Sequence, residues 1–146
     1  MTTTTTKDGV PGRTNGSDGS RGDALAAARA ASSKQAQDIV ILDVHGLIVI
    51  TDYFVICSAP TERQVRTIVD AVEEALRERD RKPVRREGET EGRWVLLDYV
   101  DVVVHILQPE AREYYDLDGL YGDCPEVDIS SIALPDLDLA PAQVAE

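Results

Sequence analysis

Apolar positions follow two rhythms along this chain, and the densest apolar run is Arg93 to Leu107, RWVLLDYVDVVVHIL. Its two aliphatic halves flank Tyr99 to Asp101 and predict a hairpin, because so apolar a ribbon has to be buried and must turn back tightly. Upstream, Asp38 to Val44 (DIVILDV) and Tyr53 to Ser58 (YFVICS) read as buried strands, the first leaving through a His45-Gly46 turn with Asp43 capping it. Thr61-Glu62-Arg63-Gln64 then has the T-x-x-Q spacing of a capping box. Behind it Val65, Ile68, Val69, Val72, Ala75 and Leu76 recur at helical intervals, which predicts a helix ending near Asp80 that covers one sheet face. Pro83 stops that helix, and Pro83 to Arg86 suits a short edge strand before a Glu87 to Gly92 turn. Pro109 at a first helical position, followed by acidic residues, predicts a short helix through Tyr115 and then a turn-rich loop. Near the start, Asp23 reads as the N-cap of an Ala-rich helix whose thin stripe, Leu25 and Ala28, implies shallow docking.

The element order is helix, strand, strand, helix, strand, hairpin, helix, which predicts an α/β fold, a two-layer sandwich with a mixed sheet. Residues Met1 to Gly22 hold too little apolar surface to offset the entropy of ordering and are expected to be disordered; Asp23 to Ile129 form the domain. From about Ser130 to Glu146 the chain is acidic and interrupted by Pro135 and Pro141, which predicts a flexible tail.

Register decides what the hairpin displays. With Val100-Asp101 as a two-residue turn, Tyr99 faces Val102, Leu97 faces Val104 and Val95 faces Ile106, an apolar face for the helix to cover. The opposite face then carries Trp94, Leu96, Asp98, Val103, His105 and Leu107, a mixed surface suited to docking a partner. A two-residue turn calls for positive φ, which suits Val100 badly, so a three-residue turn that separates Trp94 from His105 stays open.

Composition narrows the function classes. A net charge of -12 and a pI near 4.5 argue against a protein whose affinity comes mainly from neutralising phosphates. Two cysteines, Cys57 and Cys124, form neither a disulfide framework nor a zinc motif, which predicts a reducing compartment. The absence of both a long apolar run and a leader-like start predicts a cytoplasmic chain.

WVLLDYVDVVVHIL, followed by Arg112-Glu113-Tyr114-Tyr115-Asp116-Leu117 and preceded by TDYFVICSAPTERQV, closely resembles the ribosomal silencing factor family, RsfS, also called the Iojap family. The resemblance runs from about Ala24 through Ile129, with several separated motifs in order. It implies a small homodimeric α/β domain similar in fold to nucleotidyltransferases but without their catalysis, needing no cofactor and no metal. It further implies binding to the large ribosomal subunit through ribosomal protein number fourteen, which blocks small-subunit joining and silences translation when nutrients are short. Trp94, Leu96, Tyr99, Asp101, His105, Arg112, Tyr114 and Tyr115 match the family's signature positions and are the implied partner-binding residues. Val100 stands where Gly is common, Leu107 where Phe is common and Tyr121 where Trp is usual.

Two further features bear on function. Arg77 to Arg86, RERDRKPVRR, holds six basic and two acidic residues, net +4, either a minor contact for ribosomal RNA or a solvated helix end. A metal-dependent nucleotidyltransferase needs converging carboxylates and a Gly-Ser turn; Asp116-Leu117-Asp118 has the D-x-D spacing, but Ser58-Ala59-Pro60-Thr61 puts Pro where a backbone donor is required. A third reading, a generic dimeric assembly adaptor, rests on the cluster Tyr114, Tyr115, Leu117, Leu120 and Tyr121.

Overall fold

The computed structural model describes residues 18–130. It contains α1 (Asp18–Ser33), β1 (Gln37–Asp43), β2 (Tyr53–Ser58), α2 (Glu62–Arg77), β3 (Arg85–Glu87), β4 (Trp94–Asp98), β5 (Val102–Leu107), α3 (Pro109–Tyr115) and α4 (Leu117–Leu120). The strands form one sheet in the order β1-β2-β5-β4-β3. Only the β2/β5 pair is parallel; α2, β3 and β4 make the crossover between those two neighbours. This is the α/β mixed sheet that the element order predicts.

Two cores lie on the two faces. On one, the stripe Val65, Ile68, Val69, Val72 and Leu76 of α2 closes over Val95, Leu97, Val104 and Ile106, together with Val55 and Cys57. Each such side chain contributes roughly 1.5–3 kcal/mol on complete burial. On the other, Leu42, Phe54, Ile56, Val103 and Leu107 lie with Ala111 of α3 and Leu117 of α4. The second face is covered only by short elements, which leaves part of the β4 surface open.

The capping box forms by halves. Thr61 Oγ1 accepts from the Gln64 amide at 3.1 Å, while the Gln64 side chain reaches instead to the carbonyls of Lys34 and Gln35, tying α2 to the end of α1.

Helix α1 departs from expectation at both its start and its depth. It begins at Asp18, so Asp18 to Gly22, expected to be disordered, are helical; Met1 to Ser17, like the tail beyond Ser130, lie outside the described residues. Asp23 is not a cap but a buried carboxylate inside the helix, held by Arg79 Nε at 2.6 Å and Arg81 Nε at 2.7 Å. Gly22 clears the way, since a Cβ there would lie 2.5 Å from Arg79 Nη2. The docking is deep rather than shallow, because Ala24, Ala27, Ala28 and Ala31 are all buried and such small side chains let the helix approach the sheet closely.

The hairpin adopts the two-residue register. Val95 pairs with Ile106 and Leu97 with Val104, and the Tyr99 amide donates to the Val102 carbonyl. Val100 takes φ +74°, held there by its amide donating to Asp98 Oδ1 at 2.8 Å and by the Asp101 amide donating to the Tyr99 carbonyl. A β-branched residue at positive φ is strained by about 1–3 kcal/mol. Val100→Gly is therefore expected to raise unfolding stability by about 1 kcal/mol after the extra entropy of glycine in the unfolded chain is subtracted. Urea unfolding checks this; an unchanged midpoint would mean that the strain at Val100 is no larger than the entropy cost of glycine.

Candidate partner-docking face

The register places Trp94 opposite Leu107 and Leu96 opposite His105, so Trp94, Leu96 and His105 share the face that α3 and α4 cover incompletely. Trp94 is half-buried, and its ring packs against Tyr115 of α3 with centroids 4.5 Å apart. Tyr115 meets Tyr114 edge-on at 4.9 Å. Tyr114 is 79% exposed and Tyr115 44%, so the series of rings runs from the sheet out into solvent. Aromatic pairs at this spacing are worth about 0.5–1.5 kcal/mol each beyond their area, which fixes the patch without burying it.

Beside the patch runs a groove of about 290 Å³ lined by Gly88, Glu91, Arg93, Trp94, Ala111 and Tyr115. Gly88 sits at φ +83°, and a Cβ there would fall 1.9 Å from the Trp94 carbonyl oxygen, so only glycine lets the β3–β4 turn pass this close. Gly88, Glu91 and Arg93 escape the sequence reading, in which the first two are turn residues and Arg93 opens the hairpin run; nothing in their spacing reveals that they line a groove with Ala111 and Tyr115 of α3.

The other expected site residues are placed differently. His105 is 4% exposed and lies inward of Trp94, whose Nε1 donates to His105 Nδ1 at 3.1 Å. Burial lowers the His105 pKa to about 4. Tyr99 faces the α2 side, packed against that core with its hydroxyl buried and unpartnered. Burial, helped by Glu73, pushes its pKa up to about 12 despite Arg86 and Arg77. Asp101 lies in the hairpin turn, its carbonyl accepting from the amides of Asp52 and Tyr53.

Arg112 is turned inward. Its guanidinium forks onto both Asp118 oxygens at 3.0 and 2.8 Å and also donates to the Asp38 carbonyl at 2.6 Å and to Ser58 Oγ at 3.0 Å. Asp38 is the positive-φ residue at the irregularity in the β1/β2 pairing, so Arg112 pins α3 and α4 to a distorted strand edge. The hydrogen bond from Arg112 holds the Asp118 carboxyl below the ordinary aspartate range.

These bonds also engage the residues that a nucleotidyltransferase reading requires. Asp116 Oδ1 caps α4 by accepting from the Gly119 amide, Asp118 pairs with Arg112, and Ser58 Oγ serves the same clamp. Among the described residues no group of three or more His, Cys, Asp or Glu is arranged to hold a metal ion. Cys57 is buried, which pushes its thiol pKa up to about 12. Asp43 does hold its turn, accepting from the His45 amide and contacting His45 Nδ1 at 2.7 Å.

The basic stretch is largely neutralised. Arg77 pairs with Glu74, Arg79 and Arg81 with Asp23, Arg85 with Glu87 and Asp98, and Arg86 with Glu73 and Glu89. Among the described residues no helix is long and apolar enough to cross a membrane.

Residues 17–145 match the family model described as "Ribosomal silencing factor during starvation". The chain is 40% identical over 103 residues to the ribosomal silencing factor RsfS of Bacillus subtilis, covering 70% of this chain and 87% of that one. It is 35% identical over 109 residues to the chloroplastic protein Iojap of Zea mays, covering 73% of this chain and 46% of that one. A crystal structure of a Chromobacterium violaceum protein superposes with a TM-score of 0.68 at 32% identity, covering 70% of this chain and 85% of the other. The chain belongs to the ribosomal silencing factor family.

Proposed function

We propose that this chain represses translation by occupying the large ribosomal subunit through ribosomal protein number fourteen, so that the small subunit cannot join. The observation that carries this reading is the half-exposed series Trp94–Tyr115–Tyr114 beside a groove, on a chain of this family. Interface hot spots favour Trp and Tyr in such settings, flanked by adaptable polar residues like Glu91 and Arg93. Obstruction needs no covalent step: a domain seated at the joining face removes the incoming subunit's contacts, and mass action does the rest. A chain of net charge -12 also suits a basic ribosomal protein, because complementary charge raises the on-rate and selects the partner.

In this reading the protein acts in the cytoplasm, pairs as a homodimer, and is not an enzyme. Contact of Arg77 to Arg86 with ribosomal RNA is at most minor, since five of those six cations already hold carboxylates. Of the eight expected contact residues, Trp94, Leu96, Tyr114 and Tyr115 lie on the proposed face; His105 and Arg112 support it from within, and Tyr99 and Asp101 sit elsewhere.

Gradient sedimentation tests the proposal. Wild type is expected to comigrate with purified large subunits and to reduce the joined-ribosome peak. Trp94→Ala is expected to bind about thirtyfold more weakly, the effect of losing a central anchor worth about 2 kcal/mol. Subunits that join normally in a large excess of wild-type protein would refute the reading.

A further inference from the structure

We propose that His105 is a positioning residue for docking: it does not touch the partner, but its Nδ1 fixes the orientation in which Trp94 meets it. This rests on the reading of the Trp94 face as the docking surface. His105 is 4% exposed and stands behind the indole, with ring centroids 6.0 Å apart and planes tilted by 40°. The link between them is the 3.1 Å bond from Trp94 Nε1 to His105 Nδ1. Because an indole N–H can only donate, Nδ1 must be the bare nitrogen and the imidazole proton must lie on Nε2.

The remaining contacts of the ring are compatible with a fixed support. Phe54 packs on His105 edge-on at 4.9 Å, and Tyr121 packs on Phe54 at 5.0 Å. Nε2 is buried without a hydrogen-bond partner, so the bond to Trp94 is the only one the ring makes among the described residues. Trp94 also packs against Tyr115, with centroids 4.5 Å apart and planes tilted by 46°, so the ring contact and the hydrogen bond together restrict the indole. An indole free to rotate would lose that freedom on docking, which weakens binding. The imidazole removes that cost before the partner arrives.

Trp94 is the chain's single tryptophan, so its fluorescence reports the bond directly. Two variants divide the role of the acceptor from that of the ring: His105→Phe keeps a ring without an acceptor, and His105→Asn keeps an acceptor near the place of Nδ1. Emission and anisotropy of the free protein are expected to change in His105→Phe and to stay near wild type in His105→Asn. Apparent affinity for purified large subunits is expected to fall about tenfold in His105→Phe and less than about threefold in His105→Asn, the scale of one hydrogen bond. Where His105→Phe lacks a cooperative unfolding transition, His105→Leu, smaller and equally unable to accept, carries the same expectation. Wild-type affinity in the acceptor-free variant, or equal loss in both folded variants, overturns the positioning role while leaving the docking face intact. Wild-type protein that fails to comigrate with large subunits overturns the docking reading and this proposal with it.

Discussion

Arg112→Ala is expected to lower unfolding stability by about 3 kcal/mol, because one guanidinium serves an ion pair, a hydroxyl and a strand carbonyl at once. The Arg112 side chain is 13% exposed, and removing it leaves the Asp38 carbonyl and Ser58 Oγ without that donor. Asp118 is 40% exposed and can rehydrate, which keeps the loss toward the lower end of what breaking a buried pair costs. Arg112→Lys is expected to recover only part of the loss, since an ammonium cannot fork onto a carboxylate while reaching two further acceptors. Urea midpoints of the three proteins measure this; an Ala variant within about 0.5 kcal/mol of wild type, the range of ordinary surface substitutions, would show that the clamp carries no stability. The same substitution is expected to weaken docking indirectly, because α3 carries Tyr114 and Tyr115.

The second large effect is a loss of stability in mild acid caused by His105. Its folded pKa is about 4, against about 6.5 for a histidine in the unfolded chain. Below pH 6.5 the unfolded chain takes up a proton that the buried ring refuses, so the stabilisation is complete above that pH and is lost as pH falls through 4. The slope approaches about 1.4 kcal/mol per pH unit inside the window, and the total loss is about 3 kcal/mol. The depressed Asp118 carboxyl acts in the same direction but at lower pH, from the ordinary aspartate value of 3.8 downward, so the two effects separate. Denaturant unfolding between pH 7 and pH 4.5 checks this: His105→Asn should flatten the slope. An equal slope in wild type and His105→Asn would mean that protonation of His105 is not what the acid transition reads.

The parts of the fold legible in the sequence are those where a local pattern and its burial coincide. The α2 stripe follows from its helical period and the Tyr53–Ser58 strand from its unbroken apolar run, buried on both faces, whereas periodicity leaves the hairpin register open at Val100. Val100 is instructive, since its poor suitability for positive φ argues against the register that the core demands. Packing of Val95, Leu97, Val104 and Ile106 outweighs strain at one turn residue. Helix α1 is the counterexample: Asp23 has the chemistry of an N-cap, yet its partners Arg79 and Arg81 lie more than fifty residues away, and no local pattern announces them.

Sequence alone determines the order of the main helices and strands and the kinship to ribosomal silencing factors, because these depend on neighbours in the chain and on motifs kept in order. Tertiary structure alone decides which signature residues share a surface. It sets Trp94, Tyr114 and Tyr115 side by side, sends Tyr99 to the opposite face, and turns Arg112 from an apparent contact residue into an internal clamp. The reason is physical: a side chain's role follows from which partners are in reach once the sheet has closed, and a guanidinium or phenol uses the nearest acceptor or apolar wall whatever its place in the chain.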